Sequence, residues 1–311
     1  MFQSRLYLGA LLVCAPIFAF AQAPAELRIM GSDTVEPLLE AAVGQFKKAQ
    51  SSVGILLEAK GTATGFTALC EGRADMAMAS RAITLKEAQL CKSRSVAFVE
   101  IPVAWDAVVI VANRNDGWLR EVSLTDLKLL WGTESTGKKM TWNQVRSSYP
   151  ATPVTLFGLD QKSGTFDFFS GAVSGTPKLM RADYQDTAEH AVVIDRVSKT
   201  PGAIGYVSMA IYADQTAKVA ALALDEGSGA VLPSTQTVVN GQYGKLSRLL
   251  FVYVSKAAYD TRPTVRDFAN FLVDGASRFA TYARFVPLTT ANYQEQSLRL
   301  KRGDVGSVYA K

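Results

Sequence analysis

The sequence predicts an α/β protein of two domains with largely parallel sheets, and three observations carry that prediction. Short apolar runs alternate with segments of helical period along most of the chain, the pattern of βαβ units. At 311 residues with 48% hydrophobic side chains, the chain holds more core-forming material than one compact unit usually uses. No Pro-rich or low-complexity stretch separates two halves. The domains are therefore expected to be joined by crossing strands, with one domain discontinuous in sequence: residues 24–105 plus 250–311, and residues 106–249.

The elements follow in chain order. Residues 26–30 read as a strand, and 36–49 as a helix with Leu38, Leu39, Ala42, Val43 and Phe46 on one face. A strand at 55–59, a helix over 64–70 ending near Gly72, a strand at 76–79 and a helix at 85–91 come next. The Val- and Ile-rich runs 96–99 and 107–112 read as two buried strands. A helix over 124–130 is capped by Ser123 or Thr125, with Asp126 in its first turn. Beyond it lie a strand at 154–157, a helix starting over 166–172, a helix at 188–197 and a strand at 203–207 after the Pro201-Gly202 turn. The segment 249–254 is strongly strand-like, and helices over 263–272 and 276–283 close the pattern.

Composition narrows the chemistry. Lys and Arg total 33 against 28 Asp and Glu, but they form no long run, so the +5 balance describes a solvated surface and gives no footprint for a nucleic acid. A single histidine excludes any multi-His metal site and leaves His190 alone for His-dependent acid–base work. Arg5, the apolar stretch 6–20 and Ala21-Gln22-Ala23 before Pro24 form the three regions of a secretory signal peptide over residues 1–23. The stretch is shorter than the roughly 20 residues a membrane span needs, so a periplasmic or secreted mature chain is expected. Cys14 follows Val13 inside the leader, where a lipid-modified cysteine would want a small residue before it. Cys70 and Cys91 then remain as an even pair, which in an exported chain reads as a disulfide.

Three segments share one local grammar of strand, small hydroxyl-rich turn and helix. They are Gly31-Ser32-Asp33-Thr34-Val35, Gly61-Thr62-Ala63-Thr64-Gly65, and Asp160-Gln161-Lys162-Ser163-Gly164-Thr165. A helix N-terminus leaves free N–H groups and about half a positive charge, and small residues let an anion approach that backbone. A fourth element, Ala79-Ser80-Arg81, adds a hydroxyl and a permanent cation after a strand. Taken singly, each such turn is an ordinary helix cap. The four together, in this order in an exported two-domain chain, point to a small tetrahedral oxyanion held where ligands bind an open parallel sheet.

These segments resemble the phosphate-binding proteins of phosphate ABC transporters. The likeness extends through Ala74-Asp75-Met76-Ala77-Met78-Ala79, Trp105-Asp106-Ala107, Leu130-Trp131-Gly132, Gly202-Ala203-Ile204-Gly205-Tyr206-Val207 and the strand-like 249–254. The resemblance implies a periplasmic-binding-protein-like fold: two α/β lobes around a ligand cleft, joined by two hinge strands near 103–108 and 246–251. Carried over by position, Thr34 and Val35 with Ser32 and Asp33 beside them contact the anion from the first turn, and Thr62 and Thr64 lie in the second. Ser80 and Arg81 supply a hydroxyl and a cation, while Ser163, Gly164 and Thr165 complete the site from the second lobe. Two positions depart from the family. Many relatives carry an arginine where this chain has Leu159, and some carry an aspartate where it has Arg81. The acceptor for the proton of hydrogen phosphate is then expected to be Asp33 or Asp160, or else the chain discriminates less between oxyanions.

Two other motifs carry less. Gly132-Thr133-Glu134-Ser135-Thr136-Gly137-Lys138-Lys139 nearly spells a P-loop, but it ends in Lys139 and follows a helical stretch. No G-x-S-x-G serine motif occurs. The expectation is a non-catalytic, monomeric solute receptor without metal or cofactor, partnered by inorganic phosphate and an ABC-transporter permease. The alternatives are an exported phosphate-ester hydrolase, a secreted adhesin or structural factor of the same fold, and a receptor for sulfate, molybdate or tungstate.

Overall fold

The computed structural model describes residues 26–310, so the expected signal peptide and Cys14 lie outside the described residues. Twelve strands carry the architecture among the described residues: β1 (Leu27–Gly31), β2 (Ile55–Ala59), β3 (Met76–Ala79), β4 (Phe98–Asn113), β5 (Glu121–Ser123), β6 (Thr155–Leu159), β7 (Gln185–Thr187), β8 (Ala203–Ser208), β9 (Val219–Ala221), β10 (Ala223–Asp225), β11 (Ala230–Val231) and β12 (Ser247–Ser255). Nine of them form one sheet in the order β2-β1-β3-β12-β4-β8-β6-β7, with β9 also paired to β4. β1 runs parallel to β2 and β3, and β6 runs parallel to β7 and β8. The two parallel sets are connected by the antiparallel pair β4 and β12. A small second sheet joins β11, β10 and β5.

β4 corrects the sequence reading. Residues 98–99 of the first run and all of 107–112 belong to one strand of 16 residues, Phe98–Asn113. Pro102 and the Trp105-Asp106 pair interrupt the apolar pattern without ending the strand. Pro102 has no N–H to give a ladder, and it sits opposite Phe251 where the register slips between Leu250 and Phe251; a bulge is one of the few places where a strand accepts proline. β4 also changes partner along its length. Residues up to Ala107 pair with β12, and those from Val108 onward pair with β8.

The packing follows that changeover. One core cluster contains Val108–Ala112 with side chains from residues 119–246, including Trp131, Trp142, Phe169, Tyr206 and Tyr243, and is joined by Val286. A second contains residues 27–104 with 250–300, around Leu27, Ile29, Phe46, Val103 and Phe268. A third, smaller cluster sits around Phe66, Cys70, Cys91, Phe251 and Tyr253.

The longer helices form largely where the periodicity places them. Helix Glu36–Ala49 buries Leu38, Leu39, Ala42 and Phe46, and helix Leu124–Trp131 starts on a Ser123–Asp126 capping box. The two closing helices are one, Pro263–Tyr282, because Gly275 continues the helix on a buried face, where a Cβ would meet Phe279 at 2.5 Å. A further helix, Thr290–Arg302, follows it.

Candidate functional site

Three of the four expected turns meet at the carboxyl ends of the adjacent strands β2, β1 and β3. Gly31 ends β1 at φ +144°, a left-handed backbone that a side chain would strain, and a Cβ there would lie 2.0 Å from the Met78 carbonyl oxygen. The Ser32 N–H donates to that same oxygen at 2.9 Å, and the Lys60 N–H donates to the Gly31 carbonyl at 2.8 Å. Helix Thr62–Cys70 approaches as closely: a Cβ on Gly65 would sit 2.6 Å from Gly31 Cα. The Thr62 hydroxyl therefore reaches β3, where it lies 3.2 Å from Ser80 Oγ and accepts from the Ser80 N–H at 3.2 Å. Behind this edge the Cys70–Cys91 disulfide ties the end of that helix to helix Leu85–Ser93.

The third turn comes from the other core. Ser163 caps helix Gly164–Ser174, its hydroxyl accepting the Thr165 N–H at 3.2 Å. Gly164 faces Thr34 so closely that a Cβ would lie 2.4 Å from Thr34 Oγ1. Arg248, on β12, sits at this junction. Its Nη2 donates to Thr34 Oγ1 at 3.4 Å, to the Gly164 carbonyl at 3.3 Å and to Asp106 Oδ2 at 2.9 Å, while Nε donates to the same carboxylate oxygen at 3.1 Å. The guanidinium carbon lies 4.4 Å from the Phe168 ring centre. Arg248 is 14% exposed and Asp106 5%, so this ion pair is largely out of water, where charge–charge attraction is screened least.

The remaining expected residues are placed as follows. Val35 is fully buried in core, and its N–H is taken by the Ser32 carbonyl at 3.1 Å. Asp33 and Thr64 are exposed, and Thr34, Thr62, Ser80, Ser163, Gly164 and Thr165 are half-buried. Asp160 accepts the Lys162 N–H on its own side chain and lines a separate pocket with Gln161, Lys162, Ala182, Tyr184 and Asp186. The Arg81 guanidinium forks onto Glu87 at 2.8 and 2.9 Å and donates to the Ala82 carbonyl. Leu159 is buried, with its carbonyl oxygen accepting from the Tyr184 and Tyr206 hydroxyls.

The electrostatics tie the junction together. Burial pushes the Asp167 carboxyl, in the first turn of helix Gly164–Ser174, above the usual carboxylate range; Lys178 pulls it down, the Asp33 charge adds to the rise and Arg248 opposes it. Burial holds the His190 pKa below its ordinary value, with nearby Asp106 working against that shift. His190 Nδ1 accepts the Ser208 N–H at 3.1 Å, so that nitrogen is committed to the backbone. Among the described residues, no group of three or more His, Cys, Asp or Glu side chains could hold a metal ion. The arrangement offers hydroxyls, helix N-termini and one half-buried guanidinium, a donor set suited to a small anion.

Sequence reading did not single out Arg248, Asp106 as a charged partner, or Phe168. Arg248 lies one residue before the apolar run 249–254, just outside the stretch that hydrophobicity marks. Asp106 stands in the quoted Trp105-Asp106-Ala107 motif. A charged residue inside an otherwise apolar strand was the available signal for it.

Residues 19–276 match the model of the PBP superfamily domain. The chain is 34% identical over 304 residues to Protein SphX of Synechocystis, covering 98% of this chain and 89% of that protein. It is 28% identical to the phosphate-binding protein PstS of Staphylococcus saprophyticus, over 88% of this chain and 84% of the relative. Among solved structures, a possible phosphate binding protein from Planctomyces limnophilus superposes with a TM-score of 0.82 at 30% identity, covering 90% of this chain and 98% of that one. An ABC-type phosphate transport receptor from Vibrio cholerae shares the fold at a TM-score of 0.68 and 18% identity, over 84% of this chain and 99% of that one. The matched span covers most of the polypeptide, and the chain belongs to the PBP superfamily.

Proposed function

We propose that this chain is an exported, non-catalytic receptor that binds inorganic phosphate between two lobes and delivers it to the permease of an ABC transporter. The observation that carries the reading is the junction at Thr34, Gly164 and Arg248. It brings turns from two separate cores within hydrogen-bond reach of one half-buried guanidinium. The relatives named as phosphate-binding proteins support the choice of anion.

On this reading the lobes are residues 24–105 with 250–311, and residues 106–249, and they move about the paired strands β4 and β12 where β4 changes partner. The anion leaves water and is held by hydroxyls of Thr34, Thr62, Ser80 and Thr165 and by amides of the helix starts. Hydrogen bonds to a charged group stabilise by roughly 1.5–3 kcal/mol each, so several offset its desolvation. Binding favours the shut form by its differential affinity for that form, and a single shut chain presents the surface a permease recognises.

Isothermal titration with phosphate, sulfate, molybdate and tungstate tests the reading. Saturable heat with phosphate is expected, with no turnover of a phosphate ester with or without divalent metal. Absence of heat with all four anions overturns it.

A further inference from the structure

The guanidinium of Arg248 has a divided geometry. One edge, formed by Nε and Nη2, is fixed to a single oxygen of Asp106 at 3.1 and 2.9 Å. The Nη2 group also contacts Thr34 Oγ1 and the Gly164 carbonyl, which belong to the two turns that meet here. Nη1, on the edge it shares with Nη2, makes no hydrogen bond within the described residues. An arginine placed this way is immobilised on one edge and keeps the Nη1 donors for an anion. The Nη2 donor on that second edge makes only long contacts of 3.3 and 3.4 Å, which an anion can share or replace to complete a bidentate clamp. The Phe168 ring under its face restricts it further.

The other cationic positions are spent differently. The Arg81 guanidinium is matched by the Glu87 carboxylate, and its side chain is 43% exposed. Position 159 is an apolar residue packed in core. We propose that Arg248, reaching from the returning strand β12, is the guanidinium that grips the phosphate, and that Asp106 is the positioning residue that sets its fork. The assignment deepens the phosphate reading and rests on it. It places the site's principal cation on a crossing strand, where it contacts both sets of turns at once and couples anion capture to their approach.

The test is phosphate titration of the purified full chain and five variants: Arg248→Lys, Arg248→Gln, Asp106→Asn, the pair Arg248→Gln with Asp106→Asn, and Arg81→Ala. Arg248→Lys keeps a charge on Asp106 and so keeps the fold, which unliganded thermal melts will verify, but it lacks the fork. A loss of roughly 10-fold or more in affinity is expected for it, and about 100-fold for Arg248→Gln, the range spanned by charge-assisted hydrogen bonds. Arg81→Ala is expected to stay within about threefold of wild type, the effect of an exposed ion pair.

Asp106→Asn is expected to weaken binding in the Arg248 chain and to leave it unchanged in the Arg248→Gln chain. A merely structural aspartate would not show that dependence. Should the Arg248→Gln variants unfold, Arg248→Lys decides. Wild-type binding with equal affinity in a folded Arg248→Lys chain overturns the Arg248 assignment alone. Failure of wild type to bind phosphate removes the underlying reading instead.

Discussion

Gly65→Ala sets two effects of opposite sign against each other. Gly65 is the fourth residue of helix Thr62–Cys70, where alanine is the better helix former by up to about 1 kcal/mol. The structure gives that methyl group nowhere to go. Its carbon would lie 2.6 Å from Gly31 Cα and 2.7 Å from the Met30 carbonyl oxygen. Both neighbours are backbone, held in the β1–β2 and β1–β3 ladders, so neither can rotate away as a side chain would. Relief requires the helix to move off the sheet by on the order of 1 Å, and overpacking of this kind typically costs about 1–3 kcal/mol or more.

Setting about 1 kcal/mol of propensity against about 1–3 kcal/mol of overpacking leaves a net loss of up to about 2 kcal/mol. The same displacement carries Thr62 away from Ser80 and should weaken phosphate binding along with stability. Urea unfolding followed by tryptophan fluorescence gives the first quantity and titration calorimetry the second. A Gly65→Ala chain as stable as wild type, with unchanged affinity, would refute the claim that this helix start is positioned by direct backbone contact.

Two further outcomes follow from the same structure. Replacing both Cys70 and Cys91 with alanine should lower unfolding free energy by about 3 kcal/mol in urea melts, while phosphate affinity holds, because the bridge lies at the far end of helix Thr62–Cys70 from Thr62. His190 should make stability fall on mild acidification. Its folded pKa lies below the unfolded value of about 6.5, so the unfolded chain takes up the proton first as pH drops through that value. The stability this site contributes is complete above about pH 6.5 and declines toward the lower folded value; a His190→Gln chain should show a flatter profile of urea midpoints between about pH 7.5 and 5.5.

Much of the fold was legible because hydrophobic periodicity reports burial directly. Helix Glu36–Ala49 and strands β2 and β3 have the boundaries that their patterns predict. The same signal failed where burial and polarity conflict. Pro102 and Asp106 broke β4 into two apparent strands, and Gly275 split one long helix. The short strands β7, β9, β10 and β11, of two or three residues each, have too few positions to show a period.

The candidate site was legible in part for a related reason. Ser, Thr and Gly turns before helices announce themselves locally, and the structure gathers Gly31, Thr62 and Ser80 at one sheet edge and sets Thr34 against Gly164. Arg248 meets Thr34 only through a contact 214 residues away in sequence, which no local pattern encodes. Arg81, the cation that the sequence singles out, carries the capping carboxylate of Glu87 on its fork, a pairing that the local pattern does not announce.

The 16-residue strand β4 has a bearing on how this polypeptide can be dissected. Its first part pairs with β12 in one half's sheet, and its last part lies between β8 and β9 in the other's. Severing the chain near Trp105 would leave β12 on one fragment and its partners, β3 and the first part of β4, on the other, exposing raw ladder edges on each, an invitation to aggregate. Neither half is therefore a promising stand-alone fragment, and a split reporter built on this scaffold should be cut in a surface loop well away from that shared strand.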